Sequence, residues 1–99
     1  MKKSFNEKCY IILRKVPMGK VTTYREIAKA LNCKAYRAVG NAMNKNPYAP
    51  EVPCHRVINS DGKLGGFASG VDKKIEMLKK EGVEIINGKI NLNKYLHRF

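Results

Sequence analysis

Apolar residues recur at helical spacing three times in the first half of this chain, and the interruptions between them are sharp. Phe5, Cys9, Ile12, Leu13 and Val16 share one side of a helix that the capping box Ser4–Glu7 opens and Val16-Pro17 closes. Met18-Gly19-Lys20 reads as a turn. Thr23-Tyr24-Arg25-Glu26 is a second capping box, starting a short helix with Ile27, Ala28 and Leu31 on one face. Asn32-Cys33-Lys34 breaks that helix, and a third is expected over 35–44 with Val39 and Met43 inward. Two short helices around a three-residue break form a helix-turn-helix pattern.

The second half changes character. Val57-Ile58 is followed by a turn at Asn59-Ser60-Asp61-Gly62 and a glycine-rich stretch over 64–70. Helical period returns over 72–80, with Ile75 and Leu78 buried and Glu81-Gly82 as the stop. Residues 83–86 and 89–92 flank Asn87-Gly88, the pattern of a β-hairpin on a type I′ turn, and Asn93 is placed to cap a last helix over 94–99. The expected fold is a small α/β or mostly helical domain, winged-helix-like. It is built on the helix-turn-helix, ends in a short C-terminal β-hairpin, and forms a single domain over 1–99.

The third helix has an unusual surface. Ala35, Ala38, Gly40, Asn41 and Ala42 surround a single Arg37. A helix-interior glycine costs about 1 kcal/mol relative to alanine, so the small side chains serve close approach, either to another helix or to a ligand. Such a helix lacks the long polar side chains of major-groove readout. It is thin enough for a minor groove, where contact is to backbone and shape.

Charge sharpens that choice. Twenty Lys and Arg face eight acidic residues, a net +12, and residues 1–50 hold eleven of the basic side chains against only Glu7 and Glu26. The asymmetry suits a polyanion, with nucleic acid the default partner and a solvated basic surface the plain alternative. At 99 residues the chain buries only about 60–65% of its unfolded surface, so its core is modest. Three scattered cysteines, Cys9, Cys33 and Cys54, with no C-x-x-C pair, argue against a disulfide framework or a zinc site. No membrane-length apolar run, signal-peptide pattern or low-complexity tract is present. The expected location is cytoplasmic and nucleoid-associated, or nuclear in a eukaryote.

The candidate chemistry lies in Pro53-Cys54-His55-Arg56-Val57, just after the proline-punctuated loop 46–52. A free thiol titrates near ~8.5, and a neighbouring base or cation converts it to the nucleophilic thiolate. The glycine-rich stretch lacks the strand, lysine and spacing of a phosphate-binding loop, which leaves a flexible loop or a pocket wall.

Together with Asn46-Pro47, this run resembles the active-site signature of O6-alkylguanine-DNA alkyltransferases, the single-use repair proteins. Residues 19–24 (Gly-Lys-Val-Thr-Thr-Tyr), 37–43 (Arg-Ala-Val-Gly-Asn-Ala-Met) and Gly65-Gly66-Phe67 match in order, so the resemblance runs from about Phe5 to Gly82. It implies that Cys54 accepts the alkyl group from guanine oxygen 6 as a stable thioether. His55 would deprotonate Cys54 through a water, with Glu81 orienting the imidazole. Tyr24 would donate to guanine ring nitrogen 3, and Arg37 would fill the hole left by the flipped nucleotide. Asn46 would tie the helix-turn-helix to the active-site loop. Tyr24, Thr23, Ala35, Ala38, Gly40 and Ser60 would join Arg37 in contacting DNA. Met43, the Val57 carbonyl, Leu64, Gly65, Phe67 and Ala68 would line the base pocket. The implied partner is double-stranded DNA carrying alkylated guanine, bound by a monomer with no membrane, cofactor or metal.

Two departures bear on function. Phe67 stands where many members carry tyrosine and Ala68 where serine is common, which leaves an oxygen contact to the lesion to backbone N–H groups. The chain also starts where the family's C-terminal catalytic domain starts, so the usual N-terminal domain is expected to be absent. Short alkyltransferase-like sensors, which bind alkylated guanine without repairing it, are the alternative. In them the acceptor position is typically tryptophan, and this chain has no tryptophan.

Overall fold

Two short pieces of extended chain, each two residues long and far apart in sequence, meet at the centre of the protein. In the computed structural model, which describes residues 3–67 and 69–99, β1 (Thr22–Thr23) pairs in parallel with β2 (Val57–Ile58), Thr22 opposite Val57 and Thr23 opposite Ile58. Around this pair lie α1 (Phe5–Leu13), α2 (Tyr24–Ala30), α3 (Tyr36–Asn44), α4 (Val71–Lys80) and α5 (Leu92–Tyr95), with a 3-10 turn at Cys54–Arg56. The result is a small α/β domain whose described residues form five helices and one short sheet.

Alternation along a strand separates two cores. Val57 joins Cys9, Tyr10, Leu13, Ile27, Val39, Ala42, Met43 and Val52 beneath α1, α2 and α3. Its neighbour Ile58 joins Val21, Leu64, Leu78, Val83, Ile90 and Tyr95 on the other side.

The local signals explain most boundaries. The Ser4 hydroxyl accepts the Glu7 N–H at 3.2 Å, and the Thr23 hydroxyl accepts that of Glu26 at 3.0 Å. The first helix stops at Leu13, earlier than the apolar spacing suggests, while Val16 stays buried through a tight turn onto the Leu13 carbonyl. α2 and α4 end alike. Asn32 and Gly82 take positive φ (56° and 88°), and the following residues, Cys33 and Val83, donate back to Ala28 and Leu78 at 3.0 Å each. This is the paired-bond Schellman closure, which satisfies carbonyls a helix end would orphan. The third and fourth helices begin at Tyr36 and Val71, within one residue of expectation.

The C-terminal hairpin shrinks to its turn. Asn87 and Gly88 both have positive φ, as a type I′ turn requires, and Ile86 and Lys89 exchange two hydrogen bonds. The arms go no further as a ladder: the next rung would pair Glu84 with Asn91, but the Glu84 N–H donates to the Tyr95 hydroxyl at 3.2 Å and the Asn91 carbonyl accepts from Lys94 and Tyr95. The last helix also differs from expectation. Asn91, not Asn93, caps it, and it spans Leu92–Tyr95 before the chain turns extended and bridges Val21 through Leu96. Among the described residues, no helix is long and apolar enough to cross a membrane.

Candidate active site

The chain leaves α3 at Lys45 and reaches Cys54 through a loop that Asn46 organises. Its side-chain amide donates to the Val52 carbonyl at 2.8 Å, while its carbonyl oxygen accepts the Tyr48 N–H at 2.9 Å. The Cys54 N–H also donates to the Val52 carbonyl, at 2.8 Å. One side chain at the end of α3 therefore fixes the backbone that carries the cysteine. Cys54 is half-buried and packs on the first core. Burial, then Cys54, push the Tyr24 phenol above its ordinary value.

The next residue, His55, is buried at 2% exposure, and its Nε2 lies 2.9 Å from Glu81 Oε2. Glu81 is presented by the Schellman turn closing α4. Arg56 grips the same carboxylate with both prongs of its fork, Nε to Oε1 at 2.9 Å and Nη2 to Oε2 at 2.7 Å. Its third nitrogen donates to the Val16 carbonyl at 2.8 Å, tying the exit of α1 to the site. Burial lowers the basicity of His55, and the bond to Glu81 opposes this without reversing it. Burial raises the Glu81 carboxyl, but bonds from Arg56 and His55 outweigh it and leave the group below its ordinary range. At neutral pH the arrangement is a neutral imidazole on an ionised, Arg-paired carboxylate.

Beyond Val57 the wall is held by Lys74, which is 1% exposed. Its ammonium donates to the carbonyls of Val57, Leu64 and Gly66 at 2.7, 2.6 and 3.2 Å. Burial pulls its pKa down to about 8. Gly65 has φ 71°, and a Cβ there would sit 3.0 Å from the Asn59 side chain, so the loop needs glycine at this point. Met43 and Val57 share the first core with Cys54, Leu64 lies in the second, and Phe67 lies near the Lys74 ammonium. Ala68 falls outside the described residues.

The third helix answers the question its composition left open. Ala42 packs into the core, yet a Cβ at Gly40 would meet nothing within 4 Å. Gly40 lies one turn along from Arg37, and Arg37, Ala35 and Asn41 are exposed. The small residues on that side therefore face outward and are not packed against another helix. Tyr24 and Ser60 line one cleft of about 490 Å³ with Arg25, Tyr36, Asn59 and Asp61. Thr23 is buried, and its hydroxyl accepts the Glu26 N–H at the start of α2.

A family model described as 6-O-methylguanine DNA methyltransferase, DNA binding domain, matches residues 4–83. The chain belongs to that family. It is 53% identical over 79 residues to a methylated-DNA–protein-cysteine methyltransferase of Methanosarcina acetivorans, covering 79% of this chain and 51% of the relative. The O6-methylguanine-DNA methyltransferase structure of Pyrococcus kodakaraensis strain KOD1 superposes with a TM-score of 0.74 at 48% identity, over 82% of this chain and 47% of that one. S. pombe Atl1, in complex with damaged DNA containing O6-carboxymethylguanine, superposes over the whole of both chains with a TM-score of 0.85 at 36% identity. The chain spans about half the length of the methyltransferase relatives.

Within the family site, three residues escaped the sequence reading. Lys74 carried a signal, since Val71, Lys74, Ile75 and Leu78 form one helical stripe and a lysine inside an apolar stripe is out of place. Tyr10 lies one position beside Cys9 on the inner face of α1, and its hydroxyl donates to the Ala42 carbonyl at 2.8 Å. Arg56 carried none, because its partners are 25 and 40 residues away. Cys9 is fully buried, its thiol pushed up to about 11 by burial and then by Cys33, and Cys33 is partly buried against the same core.

Proposed function

We propose that this protein repairs DNA directly, by moving the alkyl group from oxygen 6 of guanine to Cys54 in a single irreversible turnover. The observation that carries the reading is the nucleophile beside its base: Cys54 followed by His55, whose buried imidazole meets Glu81 at 2.9 Å. In this reading His55 takes the thiol proton through a water, and the sulfur attacks the alkyl carbon. The carbon–oxygen bond breaks and its electrons return to the guanine, which gains a proton from Tyr24. The carboxylate fixes the tautomer of His55 and stabilises the imidazolium that forms.

The target is a base that must leave the duplex, at a cost of a few kcal/mol. Arg37, exposed beside Gly40 on α3, is suited to occupy the vacated stack while the thin face of the helix lies against the minor groove. In this reading the base is received against Met43, Val57 and the loop tethered by Lys74. Double-stranded DNA is thus the partner, held chiefly through phosphates by the basic half of the chain.

The match to S. pombe Atl1 over all of both chains favours a second reading, a lesion-binding sensor that does not react. Against it stands a cysteine at the position where such sensors typically carry tryptophan. Nucleoside analysis of treated duplex separates the two. Wild-type protein converts O6-methylguanine to guanine one for one, whereas Cys54→Ser retains lesion binding and leaves the base methylated. A folded wild-type protein that binds the duplex and leaves every lesion intact would establish the sensor.

A further inference from the structure

We propose that Arg56 is the positioning residue of the relay: by holding both oxygens of Glu81 it offsets the charge His55 faces and keeps that histidine a neutral base at rest. The inference rests on the transfer reading for its meaning, but not for its test.

The geometry sets two demands on one carboxylate. Glu81 Oε2 receives His55 Nε2 at 2.9 Å and Arg56 Nη2 at 2.7 Å, and Oε1 receives Arg56 Nε at 2.9 Å. A buried imidazole facing an unpaired carboxylate would be driven toward imidazolium, since an opposite charge within ~4–6 Å favours the charged form. An imidazolium cannot accept the thiol proton. The guanidinium fork, charged at every relevant pH, meets that carboxylate side-on and offsets its field at His55. It also fixes the carboxylate plane, since its third nitrogen is anchored on the Val16 carbonyl.

The charged groups facing His55 are few. Glu81 and Lys74 approach from α4, and Arg56 from its own turn, with Cys54 as its chain neighbour. Among Glu81, Arg56 and Lys74, Glu81 favours protonation, while burial and the two cations oppose it. Lys74 is held by three carbonyls. Of the two cations, Arg56 is the one that contacts Glu81 directly, so it sets how strongly the carboxylate acts on the ring.

The chain has only two histidines, so NMR titration of the free protein resolves His55 with His97 as the internal reference. In wild-type protein at pH 7, nitrogen shifts should show His55 neutral, with its proton on Nε2 toward Glu81. Arg56→Met should raise the His55 midpoint by about one pH unit, leave His97 in place, and carry the acidic limb of the transfer rate up by the same amount. Arg56→Lys should fall between the two. A folded Arg56→Met protein with an unmoved or lowered His55 midpoint overturns the proposal. If that variant does not fold, a wild-type His55 found as imidazolium at pH 7 overturns it equally. The titration uses no DNA, so it stands even if no alkyl group is transferred.

Discussion

The two cores flank the same two-residue sheet, but they are held by different means. Under α1, α2 and α3, apolar stripes of three helices close on one another, and the helices satisfy their own backbone bonds. On the other side, α4 covers a stretch that is mostly loop, and long-range polar ties do the fastening. These are Lys74 on three carbonyls, Gly62 on Ile90, and the Tyr95 hydroxyl on the Glu84 N–H. Cys54 sits at the seam, with its loop pinned by Asn46 to the helical side and the neighbouring His55 held by Glu81 from the other.

The comparison can be broken at its strongest point. Leu13 is fully buried in the helical core, and Leu13→Ala should cost about 2–5 kcal/mol in urea unfolding. Hydrogen exchange of Leu64 to Phe67, measured below the global transition, should not change. A selective opening of that loop would mean the two cores are one unit.

The opposite substitution probes the loop side. Lys74→Met keeps the bulk but strands three carbonyls, those of Val57 and Leu64 in buried contacts, and each lost partner costs on the order of 1 kcal/mol. Thermal unfolding should fall by roughly 10 °C or more, and exchange of Leu64 to Phe67 should rise far more than that of Val39 to Met43. Uniform acceleration in both segments would deny Lys74 its local role.

A smaller effect concerns pH. His55 is less basic in the fold than in the unfolded chain, so the unfolded state takes the proton first as the solution is acidified. The His55 contribution to stability should be full above about 6.5 and decline as pH drops from there through the lower folded value. Glu81, also depressed, adds a second decline that begins near 4.5 and completes below its folded value. In His55→Gln, the slope of unfolding free energy between pH 6.5 and 5 should flatten while the lower limb remains. An unaltered slope would place the buried proton acceptor elsewhere.

What the sequence made legible follows the same division. Capping boxes at Ser4 and Thr23, the Asn32 break and the Glu81-Gly82 stop are local signals, and each reappears as a specific hydrogen bond. The helix-turn-helix and the pairing of His55 with Glu81 were reached, the latter only through family resemblance. The parallel pairing of Thr22–Thr23 with Val57–Ile58 was not, because two residues are too few for a period and the partner is 35 positions away. The hairpin was overdrawn for a related reason. Its turn chemistry is local and correct, but the next rung is lost to other partners, since the Glu84 N–H goes to the Tyr95 hydroxyl and the Asn91 carbonyl to the last helix.

The central claim is that Cys54 forms a covalent bond to the alkyl carbon, and peptide-resolved mass spectrometry tests it most directly. Protein incubated with an excess of duplex containing O6-methylguanine should gain one methyl group per chain. The methyl should map to the peptide holding Cys54, with Cys9 and Cys33 unmodified. An unchanged mass after prolonged incubation with DNA that the folded protein demonstrably binds would contradict the account.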